Sequence, residues 1–171
     1  MTDPWVWGLG LALLLIIVIM NRPPPLLQEV RKRYDILLDT VRNDPDLDPR
    51  WESVKNRVVL TGMCDWNKKK GAIAYNVNKG YEIYICLEGA DEPLNETRIN
   101  TVMHVLIHEL SHSTVREYEH SDSFWKNFKD LRAYCESKGL YSPHNLGPFC
   151  GEAITPKNAV QGRIPVQPQE P

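Results

Sequence analysis

Three residues near the middle of the chain have the types and spacing typical of a metal-dependent hydrolase. His108 and His112 are four positions apart, so on a helix both imidazoles can reach one metal ion. Glu109 lies beside them, where its carboxylate could accept a proton from metal-bound water. This H-E-x-x-H pattern predicts a zinc site in which Glu109 is the general base.

A third metal ligand must come from outside this helix, because a catalytic zinc ion needs three protein ligands and one open position. His120 lies eight positions after the second motif histidine, where a chain reversal would return its ring to the metal. Glu117 and Glu119 are alternative oxygen ligands in the same segment, and we favour His120. Of the other histidines, His104 is expected in the core and His144 on the surface.

The motif lies in a helix that is expected to be buried, because apolar residues cover most of its circumference. Asn95 is its predicted N-cap and Glu96 lies in its first turn, and the helix should run to about residue 114. A buried carboxylate without a partner is costly, so metal coordination would explain the polar residues here. Another helix should begin at Ser121 or Asp122 and stop near Gly139.

The upstream elements complete an α+β pattern. Residues 26–42 have apolar positions at helical spacing and predict an amphipathic helix. Segments 71–78 and 81–87 are β-rich and are joined by an Asn-Lys-Gly turn, which predicts a hairpin. Residues 51–58 predict a short helix, although their end could equally begin a strand. We therefore expect one small α+β domain over residues 27–154.

The amino-terminal stretch is strongly apolar. Residues 4–20 carry no charge and come near the lower limit of about 17–25 residues needed to cross a bilayer. Trp5 and Trp7 suit an interfacial aromatic belt. We predict that residues 1–20 form a single-pass transmembrane anchor. A cleaved signal peptide and a buried core helix are the alternatives; Asp3 and the lack of a small-x-small site argue against the first.

The charges around this stretch predict its orientation. The basic residues follow it and none precedes it; they are Arg22, Arg31, Lys32 and Arg33. The positive-inside rule then places the carboxy-terminal domain on the cytosolic side. Residues 21–26 form a Pro-rich spacer, and residues 155–171 a Pro/Gln-rich tail that we expect to be irregular.

Composition sets further limits. The chain of 171 residues suits one domain with appendages, and its net charge of −2 gives no overall attraction to nucleic acid. The four cysteines are widely spaced and form no Cys-x-x-Cys pair, which argues against a structural zinc knuckle. Reduced thiols are expected on the cytosolic side. A disulfide between Cys135 and Cys150 remains an open alternative.

These residues also carry a family resemblance. The chain reads His-Glu-Leu-Ser-His from His108 and His-Ser-Asp-Ser-Phe-Trp from His120. This resembles the H-E-L-x-H…H-x-x-x-F-W pattern of WLM/SprT-like zinc metallopeptidases, particularly the small versions encoded by large DNA viruses. The resemblance covers about residues 51–154. The chain departs from the pattern in the seven residues before His120, where five are common, and in the absence of a preceding Gly.

The resemblance implies a gluzincin-like minimal protease fold with a three-histidine zinc site. It implies that Glu109 is the general base and that Phe124 and Trp125 pack behind the site. Family members often act on proteins crosslinked to DNA, but the sequence has no basic patch. We therefore expect a protein or peptide substrate and no nucleic acid partner.

Two functions of different class follow from these observations. The favoured function is a membrane-anchored zinc endopeptidase, with the hairpin edge holding an extended peptide. Tyr118, Tyr141 and His144 are candidates for stabilising the transition state. The alternative is a structural protein that keeps the fold and tethers a membrane to a protein shell, for example as a minor capsid protein of a virion. A secreted soluble protease would require removal of residues 1–20.

Overall fold

The computed structural model describes residues 4–20, 22–55, 59–63, 73–79, 81–86, 92–144 and 146–154. Its α-helices are α1 (Pro4–Met20), α2 (Pro25–Asn43), α3 (Glu96–His112) and α4 (Asp122–Ser137), and a 3-10 helix covers Pro49–Lys55. Its strands are β1 (Val59–Met63), β2 (Ala74–Val77), β3 (Glu82–Cys86), β4 (Pro148–Phe149) and β5 (Glu152–Ala153). The predicted α+β class is confirmed.

Helix α3 is the centre of the domain. Asn95 caps its start by accepting a hydrogen bond from the Arg98 backbone N–H at 2.8 Å, which satisfies one of the helix's unpaired donors. All thirteen residues from Ile99 to Ser111 are buried. Both predictions for this helix, its N-cap and its burial, are confirmed. The burial follows from the apolar residues that cover nearly its whole circumference.

Helices α2 and α4 pack around α3 with one apolar face each. The predicted inward positions of α2 are all buried, namely Leu27, Val30, Tyr34, Leu37, Leu38 and Val41. Arg33 of α2 pairs with Glu96 at the start of α3 at 2.9 Å. Ser121 caps α4 by accepting from the Phe124 N–H at 3.2 Å. Gly139 follows α4 with a φ of 68°, which stops the helix as predicted.

A three-stranded sheet in the order β1-β3-β2 covers another side of α3. Strands β2 and β3 are antiparallel, so the predicted hairpin is confirmed. Asn78 and Lys79 of its turn adopt φ values of 47° and 53°. Strand β1 pairs parallel to β3, a pairing that the sequence did not predict. For residues 51–58 the sequence predicted a short helix or, at their end, the start of a strand. Both are partly right, since the 3-10 helix ends at Lys55 and β1 begins at Val59.

Helix α1 exposes its apolar side chains, among them Trp5 and Met20, each with 80% of its surface accessible. Within the described residues, no single helix combines the length and apolar composition required to cross a bilayer. The predicted tail at 155–171 lies outside the described residues.

The cysteine predictions need correction. Cys86 at the end of β3 and Cys150 after β4 form a disulfide across 64 positions, so the expectation of reduced thiols is wrong for both. Cys135 is buried on α4 with a free thiol, and the alternative pairing of Cys135 with Cys150 is therefore also wrong. Strand β4 packs beside the domain's core, with Phe149 buried. The spacing of the cysteines in the sequence does not predict this contact. Cys64 lies outside the described residues.

Candidate metal centre

Three histidines from two neighbouring segments converge on one point. His108 and His112 lie one turn apart on α3, and His120 returns from the segment between α3 and α4. One ring nitrogen from each lies within 4.8 Å of the others. The Nε2 atoms of His108 and His120 are 3.0 Å apart. The three residues predicted as metal ligands are thus brought together.

The two carboxylates considered as alternatives are placed differently. Glu117 and Glu119 are exposed, and neither belongs to the metal-binding group found among the described residues. The Glu117 carboxylate accepts a hydrogen bond from the Ser121 hydroxyl at 2.7 Å, before α4 begins. This contact gives Glu117 a local structural partner in place of a metal ion.

The donor set fits a zinc ion. Two imidazole nitrogens on a tetrahedral zinc lie about 3.3 Å apart, given Zn–N bonds of about 2.0–2.1 Å, close to the distance between the Nε2 atoms of His108 and His120. Burial, followed by the neighbouring histidines, holds the pKa of His108 well below its usual range. Burial also lowers the pKa of His112 to about 4. Neutral imidazoles with free lone pairs are therefore present at neutral pH, as metal ligation requires.

Glu109 is buried, and one of its carboxyl oxygens has no hydrogen-bond partner among the described residues. Only 1% of the residue is exposed, and burial raises the pKa of its carboxyl to about 8. Within the described part of the chain, Oε1 of Glu109 and Nδ1 of His108 have no hydrogen-bond partner. A buried polar atom without a partner costs about 1–3 kcal/mol. Such a cost at Oε1 of Glu109, beside the converging histidines, fits a site that a water molecule or ion completes.

Aromatic rings hold the histidines in place from behind. The Phe124 ring lies 4.9, 4.5 and 4.7 Å from the rings of His108, His112 and His120. Trp125 stacks on His120 at 5.3 Å with an interplanar angle of 25°. Both aromatics come from the first turn of α4, so the Ser121 cap that starts this helix also sets the back wall of the site.

His104, one turn before His108, belongs to a separate contact. Its Nδ1 lies 2.6 Å from the Tyr141 hydroxyl, and burial lowers the pKa of its ring to about 3. His104 is in the core and His144 is exposed, as predicted. The Tyr141 hydroxyl is engaged by His104, so Tyr141 is a poor candidate for contacting a substrate.

A shallow cleft opens beside the site and is lined by Asn76, Lys79, His112, Glu117 and Tyr118. Asn76 of β2 donates from its side-chain amide to the Glu109 carbonyl at 2.7 Å, which fixes the hairpin against α3. Tyr118 is 74% exposed and is the one tyrosine among the three transition-state candidates that reaches this cleft. The sequence did not predict that Asn76 and Lys79 line this cleft, since no local pattern predicts a contact between a hairpin and a distant helix.

Comparisons with known proteins agree with this geometry. Residues 55–148 match the WLM domain, over more than half of the chain and including the three histidines and Glu109. An uncharacterized protein of Acanthamoeba polyphaga mimivirus is 30% identical over 107 residues, which cover 60% of this chain and 54% of that protein. The chain thus spans about half the length of this viral relative. No solved structure matches the chain significantly.

Proposed function

The chain belongs to the WLM domain family, and on that premise we propose that it is a membrane-anchored, zinc-dependent endopeptidase. The family implies a metallopeptidase-like function and zinc. The observation that carries the proposal is the convergence of His108, His112 and His120 beside a buried Glu109 whose Oε1 lacks a partner among the described residues. This arrangement supplies the ligands and the base that peptide hydrolysis requires.

The three histidines would hold zinc, which when bound supplies a Lewis acid that polarises the scissile carbonyl and lowers the pKa of the attacking water. Glu109 takes the proton of that water at Oε1 and delivers it to the leaving amine. A carboxylate held beside the attacking water can accept its proton and pass it on to the leaving group. Its burial also excludes bulk water, which would otherwise compete for the same oxygen.

The substrate is proposed to be an extended segment of a protein. Strand β2 is at one edge of the three described strands, and its Asn76 reaches the cleft beside His112. An extended peptide paired with β2 would lie along this cleft, because an edge strand offers main-chain hydrogen bonds to an added strand. Tyr118 is the candidate for contacting the reacting carbonyl from the same cleft.

The anchor is proposed to be α1, whose apolar side chains are exposed along its whole length. Apolar side chains in such number are unfavourable in water and favourable in lipid. The basic residues that follow α1 favour a domain on the cytosolic side. In that orientation the Cys86–Cys150 disulfide faces a reducing compartment, so its redox state would vary with conditions.

Both parts of the proposal are tested with one preparation of the full chain in lipid vesicles. Hydrolysis of an unfolded protein substrate should disappear on chelation and return on addition of one equivalent of zinc. The chain should float with the vesicles, whereas Leu13→Arg should reduce flotation, since a charge at a span centre costs about 2.5–3.5 kcal/mol. Ile36→Arg, at an exposed apolar residue of α2, is the matched control and should float normally.

Two outcomes would contradict the proposal. A zinc-loaded chain that cleaves nothing would favour a tethering role without catalysis, especially if the chain is stoichiometric in a protein shell. Equal flotation of the Leu13→Arg variant and the wild type would exclude α1 as the anchor.

A further inference from the structure

Lys79, in the turn between β2 and β3, makes an unusual set of contacts with the segment that carries His120. Its Nζ donates to the carbonyls of Val115 and Glu117, each at 3.0 Å, and to the carbonyl of Arg116 between them. The same ammonium lies 4.4 Å from the centre of the Tyr118 ring. Four consecutive residues therefore converge on one cation.

These contacts hold the middle of the segment between α3 and α4. Near its start, the Thr114 hydroxyl accepts from the Asn127 amide at 2.9 Å. At its end, Ser121 caps α4. The stretch contacted by Lys79 lies between these two points and stops two residues before His120. The position of His120 therefore depends on how this stretch is folded.

The chemistry of lysine suits this task. Backbone carbonyls outside helices and strands need donors from elsewhere, and an ammonium group offers three N–H donors. Hydrogen bonds from a charged donor are stronger than those between neutral groups. Lys79 and Asn78 both have positive φ, and this tight turn directs the side chain of Lys79 across the gap to the neighbouring segment.

We propose that Lys79 is a positioning residue for the metal centre, which fixes residues 115–118 so that His120 faces His108 and His112. The proposal rests on the proposed function in one respect, namely that His120 is a zinc ligand. Lys79 acts through the segment and not through direct contact with the metal.

A competing effect of Lys79 has the opposite sign. Its positive charge lies near His112, whose pKa is lowered first by burial, then by His120 and then by Lys79. Removing this charge would relieve repulsion of a zinc ion and tighten binding. Water and salt screen that repulsion because the site opens to a cleft, whereas loss of supporting contacts around metal ligands typically costs about 10–100-fold in affinity. The loss of positioning should therefore dominate.

The test measures zinc dissociation constants by chelator competition on the full chain and on three variants. Lys79→Met keeps the stem without the charge and should weaken zinc binding by about 10–100-fold. Lys79→Arg restores a cation and should bind zinc more tightly than Lys79→Met. Lys138→Met is the matched control, because the Lys138 ammonium also lies near a tyrosine ring, that of Tyr134 at 5.2 Å, and should leave affinity unchanged.

Cobalt substitution gives a second readout that a purely stabilising residue would not alter. The wild type should show the intense visible absorption of a tetrahedral cobalt site, and Lys79→Met should lose intensity as His120 leaves the metal. If Lys79→Met binds zinc as tightly as the wild type, or more tightly, the positioning role of Lys79 is overturned and the metal centre is not. Global unfolding of the metal-free variant, seen by circular dichroism, would overturn that role too, since Lys79 would then support the whole fold. Failure of the wild type to bind zinc would instead overturn the metal centre itself.

Discussion

Replacing Glu109 with glutamine is expected to lower the rate of peptide hydrolysis by about 10²–10⁴-fold, the usual contribution of general acid–base catalysis, while zinc content stays at the wild-type level. Glutamine has nearly the same shape but cannot take a proton from water. The exchange should be structurally mild, because it keeps the volume of the buried side chain and Oε1 has no partner to lose within the described residues. The measurement is kcat/KM on an unfolded protein substrate beside the zinc content of the same sample.

Glu119→Gln is the matched control for this experiment, since Glu119 is an exposed carboxylate one residue before His120. It should retain both activity and zinc. Undiminished hydrolysis by Glu109→Gln with zinc bound would remove Glu109 from the mechanism. Loss of zinc together with activity would show that Glu109 supports the metal and would not identify it as the base.

Removing the Cys86–Cys150 disulfide should lower the free energy of unfolding by about 4 kcal/mol, which is the chain-entropy value for a closed loop of this length. The bond joins the end of β3 to the turn after β4, so it restricts the unfolded chain over the whole of α3 and α4. The double variant Cys86→Ser/Cys150→Ser should show this loss in urea unfolding followed by circular dichroism.

Reductant provides the control for the disulfide. Dithiothreitol should destabilise the wild type to about the level of the double variant and leave the double variant unchanged. Cys135 should not contribute, because burial raises the pKa of its thiol to about 12 and keeps it unreactive. A wild-type unfolding midpoint that does not respond to reductant would show that Cys86 and Cys150 are not paired.

The parts of the fold that depend on local chemistry could be predicted from the sequence. Asn95 and Ser121 are N-caps because their side chains accept backbone donors at helix starts. The apolar circumference of α3 predicted its burial, and the Asn-Lys-Gly turn predicted the hairpin. The spacing of His108 and His112 follows from helical geometry alone. For each of these features, residues close in sequence decide the structure.

The remaining features depend on contacts between distant residues. Strand β1 pairs in parallel with β3 across a long connection, and no short pattern specifies a parallel partner. The disulfide joins positions 64 apart; from the sequence we expected reduced thiols, with the nearer pairing of Cys135 and Cys150 as the alternative. In the sequence Lys79 is an ordinary turn residue, and only the folded structure shows its contacts with residues 115–117.

The position of His120 shows how these two kinds of information combine. Its residue type and its place after the motif helix suggested a third ligand, but the sequence also offered Glu117 and Glu119. The structure distinguishes these three candidates. Stacking of Trp125 and contact with Phe124 turn the His120 ring inward, whereas both carboxylates are exposed.

The most direct test of the metal centre is the zinc content of the purified full chain beside that of His120→Ala, with Glu119→Ala as the control. The geometry predicts one zinc per chain in the wild type and in Glu119→Ala, and a large loss in His120→Ala, because two histidines alone do not complete a catalytic zinc site. Unchanged zinc content in His120→Ala would contradict the three-histidine centre on which the proposed hydrolysis depends.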